Sequence, residues 1–215
     1  MIFTFPNDPN GTGEILFSKT KANIKPGLTV LVGCNGSGKT TFLRLVRKQL
    51  DKKKIPYVNF DNYTQGHTNA MSERLLVNDF QGLAQLAFHS EGERIVDSLG
   101  LTVSKIGRAV RSAQNDSDMF VLLDACDSGL SADQIVDLKD CFKFIIQDAK
   151  DKNVRVYILM ASNAYETAYC ERSLDVSTFT EYGFATYEAY RDFIIHTSRA
   201  YKNKRLQTSN QGESE

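Results

Sequence analysis

The chain has 215 residues, with 26 basic side chains balanced by 26 acidic ones, 41% hydrophobic and 24% charged. This composition excludes a disordered chain and a globally basic nucleic-acid binder, though not a local basic patch. No apolar run approaches the roughly 20 residues that span a bilayer, and the start MIFTFPNDPN has no basic region leading into an apolar run, so neither membrane insertion nor a secretory signal is read.

The first 30 residues read as strands. Ile2, Phe3 and Phe5 form a short apolar run, broken by Pro6, Pro9, Gly11 and Gly13, and Ile15 to Phe17 supplies the return strand of an antiparallel hairpin. After the turn Lys25-Pro26-Gly27, the run LTVLV over 28–32 lacks polar alternation, as expected of a buried parallel strand. Phe42, Leu43, Leu45, Val46 and Leu50 recur at three- and four-residue steps and predict an amphipathic helix. A strand over 55–60 follows, then a polar loop over 61–70, a helix over 71–88 and a second helix over about 91–113, which Gly100 and Gly107 weaken. Beyond it come a buried strand at 119–123, a helix at 132–148, a strand at 154–160, a short strand near 173–176 and a helix at about 187–201. Strands alternating with helices predict an α/β fold with a mostly parallel sheet flanked by helices. The organisation expected is one domain over 1–205, with a reduced helical part at about 66–114, and a disordered tail over 206–215.

Chemistry enters at Gly33–Thr40, GCNGSGKT, which fits GxxxxGK[ST] and lies between the buried strand and the amphipathic helix, the context this phosphate loop requires. Gly33, Gly36 and Gly38 let the backbone curl so that N–H groups converge on an anion, and the helix N-terminus adds its partial positive charge. In such a loop, formed with Asn35, Ser37 and Thr41, Lys39 reaches the β- and γ-phosphates and the Thr40 hydroxyl ligates Mg²⁺. Asp124 closes a buried strand at its carboxyl end, the place from which a carboxylate holds that metal directly or through water.

Three stretches carry a family resemblance. Phe120–Ser131 (FVLLDACDSGLS) resembles the Walker B and D-loop region of ATP-binding-cassette (ABC) ATPases, GCNGSGKT resembles their GxNGSGKST, and Ser90–Arg94 (SEGER) resembles their LSGGQ signature. The 85 residues from Lys39 to Asp124 are few for a transporter subunit, so the likeness is closer to soluble chromosome-maintenance and RecF-like ATPases. The resemblance implies Mg-ATP as ligand and an ATP-dependent head-to-tail homodimer, with Ser90, Gly92 and Glu93 facing the partner's γ-phosphate. It also implies Gln65 near the metal and, by analogy alone, a DNA or DNA-processing partner. Ser90 and Glu93 form an S-x-x-E capping box, which marks a helix N-terminus.

Departures from the family pattern are specific. Glu91 stands where the signature has Gly. The catalytic Glu after the Walker B Asp is Ala125, which cannot polarise water. Asp127 is either its replacement, a D-loop contact or the start of a turn. The family's switch His falls near Ser162, and Ser162 or Asn163 can hydrogen-bond a γ-phosphate without exchanging its proton near neutral pH. Two functions stay open: an ATPase, slow for want of Glu at 125, and an ATP-gated interaction module with little hydrolysis. A transporter's ATPase subunit and a small-molecule phosphotransferase are weaker readings.

The remaining candidates read blandly. Cys34, Cys126, Cys141 and Cys170 are scattered without CxxC, as free thiols in a reducing cytoplasm would be. His67, His89 and His196 make no metal spacing. Phe184, Tyr187, Tyr190 and Phe193 read as core packing, and Lys202, Lys204 and Arg205 as a solvated helix end.

Overall fold

The structure is a computed structural model and describes residues 1–62 and 91–211. Its elements are β1 (Ile2–Thr4), β2 (Lys21–Asn23), β3 (Gly27–Val32), α1 (Lys39–Lys53), β4 (Tyr57–Asp61), α2 (Glu91–Ser112), β5 (Asp118–Asp124), α3 (Ala132–Asp151), β6 (Arg155–Ala161), α4 (Tyr165–Ala168), β7 (Ser173–Asp175), β8 (Thr180–Tyr182) and α5 (Tyr187–Gln211). The main sheet has the order β4-β5-β6-β3-β7-β8, parallel throughout except for the antiparallel edge strand β8. Thus β3 and β5, which carry the phosphate loop and Asp124, are separated by β6.

Both faces of the sheet are covered, which explains the nearly continuous apolar runs of β3, β5 and β6. One face packs Leu31, Phe120, Leu122 and Leu159 against α1 and the amino-terminal segment, through Phe3, Phe5, Phe17, Phe42 and Leu50. The other packs Val30, Val121, Leu123, Ile158 and Met160 against α2, α3 and α5, through Leu99, Ile106, Phe142, Ile145 and Tyr190. A fully buried aromatic side chain contributes about 3 kcal/mol relative to exposure, so these two layers dominate the fold.

The amino-terminal hairpin is antiparallel as expected, but its return strand is β2, not residues 15–17. Phe17 instead turns inward, its ring 5.6 Å from Phe5, 6.4 Å from Phe42 and 5.5 Å from Phe179. An aromatic cluster outweighs the few ladder hydrogen bonds a three-residue strand would add. Helix α2 runs unbroken through Gly100 and Gly107. Helix α5 continues to Gln211, six residues into the expected disordered tail; no Gly or Pro interrupts the segment before Gly212. Strand β8 and helix α4 were not legible from the sequence. The helix expected at 71–88 lies outside the described residues, as do most of the polar loop, Gln65, His67, His89 and Ser90. Of the signature, the structure describes only that backbone from Glu91 onward is helical.

Phe184 and Tyr190 are buried and Phe193 packs against them, as core aromatics should. Tyr187 is 55% exposed, its ring set edge-on to that of Tyr165 with centroids 5.7 Å apart.

Candidate functional site

The carboxyl ends of β3, β5 and β6 meet at a cleft of about 250 Å³. One wall is the phosphate loop from Asn35 to Thr41; the other is Asp124, Ala125, Asp127, Ala161, Ser162 and Asn163. The loop needs its glycines: Gly33, Gly36 and Gly38 have φ of 141°, 83° and 100°, a region that L side chains rarely adopt. A Cβ at Gly38 would stand 2.7 Å from Leu16 and one at Gly33 2.6 Å from the Ser37 hydroxyl, so the loop is also tightly backed.

Lys39 folds back onto its own loop, donating to the carbonyls of Gly33 at 2.6 Å and Cys34 at 3.2 Å. Burial holds its ammonium pKa below the ordinary lysine value, partly offset by Cys34, Asp127 and Asp124. A cation held on carbonyls in a half-buried site exchanges readily for anionic oxygens, which satisfy its charge as well as its donors.

Asp124 ends β5 and lines the cleft together with Thr40. Burial raises its carboxyl above the usual range; the nearby Thr40 hydroxyl opposes this, the charge of Asp61 adds to it, and Lys39 and the Ala125 N–H oppose it. Asp61 was not singled out from the sequence. The parallel register sets Asp61 directly opposite Asp124, so two carboxylates stand at adjacent strand ends, about 4.8 Å apart in backbone. Hard oxygen donors with excess negative charge suit Mg²⁺, completed by phosphate oxygens and water. Among the described residues no cluster of three or more His, Cys, Asp or Glu side chains could hold a metal by itself.

Ala125 has φ of 52°, a left-handed conformation unusual for alanine, and its N–H donates to Ala161 at 3.2 Å. Asp127 lies across the cleft. One carboxylate oxygen, Oδ2, accepts from the Ser162 hydroxyl at 2.8 Å, the Asn163 N–H at 2.9 Å and the Ala164 N–H at 3.0 Å. Ser162 is buried and also accepts from Thr167 at 2.7 Å, while Tyr190 donates to the Asn163 carbonyl at 2.9 Å. Buried Lys139 braces the next turn, donating to the carbonyls of Glu166 at 2.9 Å and Tyr169 at 2.8 Å. Asp127 thus ties the turn after β5 to the turn after β6.

The structure therefore brings Gly33, Asn35 to Thr41, Asp124, Asp127 and Ser162 to one place. Gln65 and Ser90 lie outside the described residues, and of Gly92 and Glu93 only the helical backbone is described. All four cysteines are unpaired, Cys34 and Cys126 in the interior. No described helix is long and apolar enough to cross a membrane.

A mostly parallel α/β sheet with a glycine-rich loop between strand β3 and helix α1, facing an acidic strand end, defines a P-loop nucleotide-binding domain. Residues 23–167 match the AAA domain, a P-loop ATPase family, and the chain belongs to that family. It is also similar to an ABC transporter ATP-binding protein of Saccharolobus solfataricus, 38% identical over an alignment of 64 residues. That alignment covers 23% of this chain and 12% of the relative, so the chain spans only a small part of the relative's length. No solved structure matches the chain.

Proposed function

We propose that this domain binds ATP with Mg²⁺ in the cleft and hydrolyses it slowly. The observation that carries the reading is that the phosphate loop and the strand-end carboxylate face one cleft, with Thr40 and Asp124 both in its lining. Those two groups would hold Mg²⁺, which supplies charge neutralisation for the phosphates. The loop N–H groups and Lys39 would bind the phosphate chain. Asp127 would act by positioning: it fixes the Ser162–Ala164 turn, so that Asn163, which lines the cleft, faces the terminal phosphate.

Following the cassette resemblance and the partial likeness to the archaeal protein, we further propose an ATP-dependent homodimer. In it Ser90, Gly92 and Glu93 of one copy meet the nucleotide of the other, and Gln65 approaches the metal. A DNA-related partner rests on analogy with that family alone.

The test is calorimetric titration of ATP with Mg²⁺ and with EDTA, beside steady-state hydrolysis. Magnesium-dependent binding with turnover is expected; no binding in either condition overturns the reading. A second reading, an ATP-gated interaction module, is favoured by Ala125 and by the engagement of Asp127. ATP-dependent dimerisation without turnover selects it. A rise in turnover on Ala125→Glu then shows that the water-activating group is what the chain lacks.

A further inference from the structure

Helix α4 starts where the Ser162–Ala164 turn ends, and together with the start of α5 it gathers three tyrosines around Tyr165. The Tyr165 ring centre lies 5.5 Å from that of Tyr169, 5.7 Å from Tyr187 and 5.8 Å from Tyr190, at interplanar angles of 54°, 82° and 50°. Tyr190 is buried and holds the Asn163 carbonyl, so it belongs to the fold. Tyr169 and Tyr187 are 47% and 55% exposed. Large rings left at the surface in contact with one another still have apolar area to bury, the mark of an interaction surface.

The charge around this patch is one-sided. From Ala164 to Asp192 the chain carries six carboxylates against two arginines, Arg172 and Arg191. Four carboxylates are engaged: Glu171 lies 3.5 Å from Lys139, Glu181 2.8 Å from Lys25 and Asp192 3.0 Å from Arg191, while Asp175 accepts from its own turn. Arg172 is spent on Thr29 and on the carbonyls of Lys25, Pro26 and Leu28. Glu166 and Glu188 remain, and neither carboxylate forms an ion pair among the described residues; Arg191 feels the charge of Glu188 but is paired with Asp192. Both stand near Tyr165: partial burial, the neighbouring Tyr169 and Cys170, and the charges of Glu188 and Glu166 keep its hydroxyl above the ordinary pKa. The Lys139 ammonium already sits 6.0 Å from the Tyr169 ring centre, on a side chain only 7% exposed. A cation over one of these rings is thus part of the fold, and the exposed rings with two unpaired carboxylates suit a second.

We propose that this surface docks a protein segment that presents an arginine, its guanidinium lying on the exposed tyrosine rings and its N–H groups donating to Glu166 and Glu188. Charge complementarity selects the occupant. Two unpaired carboxylates repel a nucleic-acid backbone or an anionic membrane surface, and a purely apolar segment would strip them of water without replacing it. Arginine fits better than lysine, because a planar guanidinium stacks on aromatic faces and offers five donors. Tyrosine and arginine are also the residues that carry most of the energy of protein interfaces. The surface is joined to the cleft through the backbone: the Ala164 N–H, one residue before Tyr165, donates to Asp127 at 3.0 Å. The assignment goes beyond the ATP reading and stands whether or not the cleft holds nucleotide.

The experiment titrates the full chain by calorimetry with an end-blocked peptide of alternating arginine and glycine, and with its citrulline counterpart, which keeps the shape and loses the charge. Wild type is compared with Tyr187→Ala, Glu188→Gln and the double variant. Both side chains are exposed, so the fold should carry the changes, and an unaltered melting temperature checks this. Expected is saturable binding of the arginine peptide, weakened about 2- to 5-fold by each single change and about tenfold by both, with the citrulline peptide bound roughly tenfold more weakly by wild type. Equal affinity of wild type and the double variant for the arginine peptide overturns the assignment, as does a citrulline peptide that binds as tightly. Absence of binding up to millimolar arginine peptide overturns it too. Self-association of wild type that the double variant abolishes identifies a second copy as the occupant, and overturns it likewise.

Discussion

The two flanks of the phosphate loop are built on opposite principles. On the β5–β6 flank, polar groups are concentrated and only partly reconciled: Lys39 rests on carbonyls, and half-buried Asp124 stands beside a second carboxylate. On the β7–α5 flank, Asp175 is fully paired with its own turn and the cavity beside it has mostly apolar walls. The flank that handles charge is left electrostatically unfinished, whereas the other is closed. Groups such as Lys39 and Asp124 should therefore respond strongly to ligand, and Asp175 hardly at all.

The sharpest way to break this contrast is Lys39→Ala. Losing charge-assisted contacts to two phosphates should weaken Mg-ATP binding on the order of 10²-fold by calorimetry. An unchanged affinity would mean that the cleft does not bind phosphate.

Next in size is Asp127→Ala. It leaves the Ser162 hydroxyl and the Asn163 N–H without their acceptor, while the Ala164 N–H keeps the Ser162 oxygen at 3.0 Å, and should lower stability by about 2–3 kcal/mol in urea melts. Asp127→Asn keeps an acceptor oxygen and should lose much less. Equal, negligible losses would show that the brace is ornamental.

Asp124→Asn separates metal binding from folding. The folded-state carboxyl pKa lies above its unfolded value, so ionisation of Asp124 counts against the fold. The stability this group contributes is present below the unfolded value and is lost as pH rises through the raised one. At pH 7 the variant should melt at or slightly above the wild-type temperature without ligand, yet lose the Mg²⁺ dependence of ATP binding. A large drop in melting temperature, or intact Mg²⁺ dependence, would refute this.

The smallest effect is expected for Asp61→Asn. Removing a neighbouring negative charge should move the Asp124 titration to lower pH, and the onset of Mg²⁺-dependent binding with it. An onset that does not move would mean that Asp61 is electrostatically remote from the site.

Much of the charged flank was legible because its signals are local. Eight consecutive residues specify the loop, and Asp124 ends an apolar run whose composition already marks a covered strand. What escaped was set by pairing across the sheet. Asp61 is an ordinary strand-end residue until β4 is known to lie beside β5 in register. Asp127 keeps three readings, a replacement for the missing Glu, a D-loop contact and the start of a turn, until Ser162, Asn163 and Ala164 are brought onto one of its oxygens. The position of Tyr201 on Gly36 joins the last helix to the first loop, a contact no periodicity encodes. The return strand was misplaced because Phe17 has the composition of a strand residue and the destiny of a core one.

Helix α5 touches the strand-end surface twice. Tyr190 holds the Asn163 carbonyl behind the β6 turn, and Tyr201 rests on Gly36 at the tip of the loop. About three turns lie between them, a span of roughly 16 Å. An α-helix of that length neither stretches nor shortens appreciably, so it works as a spacer bar across the top of the sheet. The loop and the Ser162–Ala164 turn are thereby gauged against one another, and displacement of either end is felt at the other as rotation of a single rigid strut.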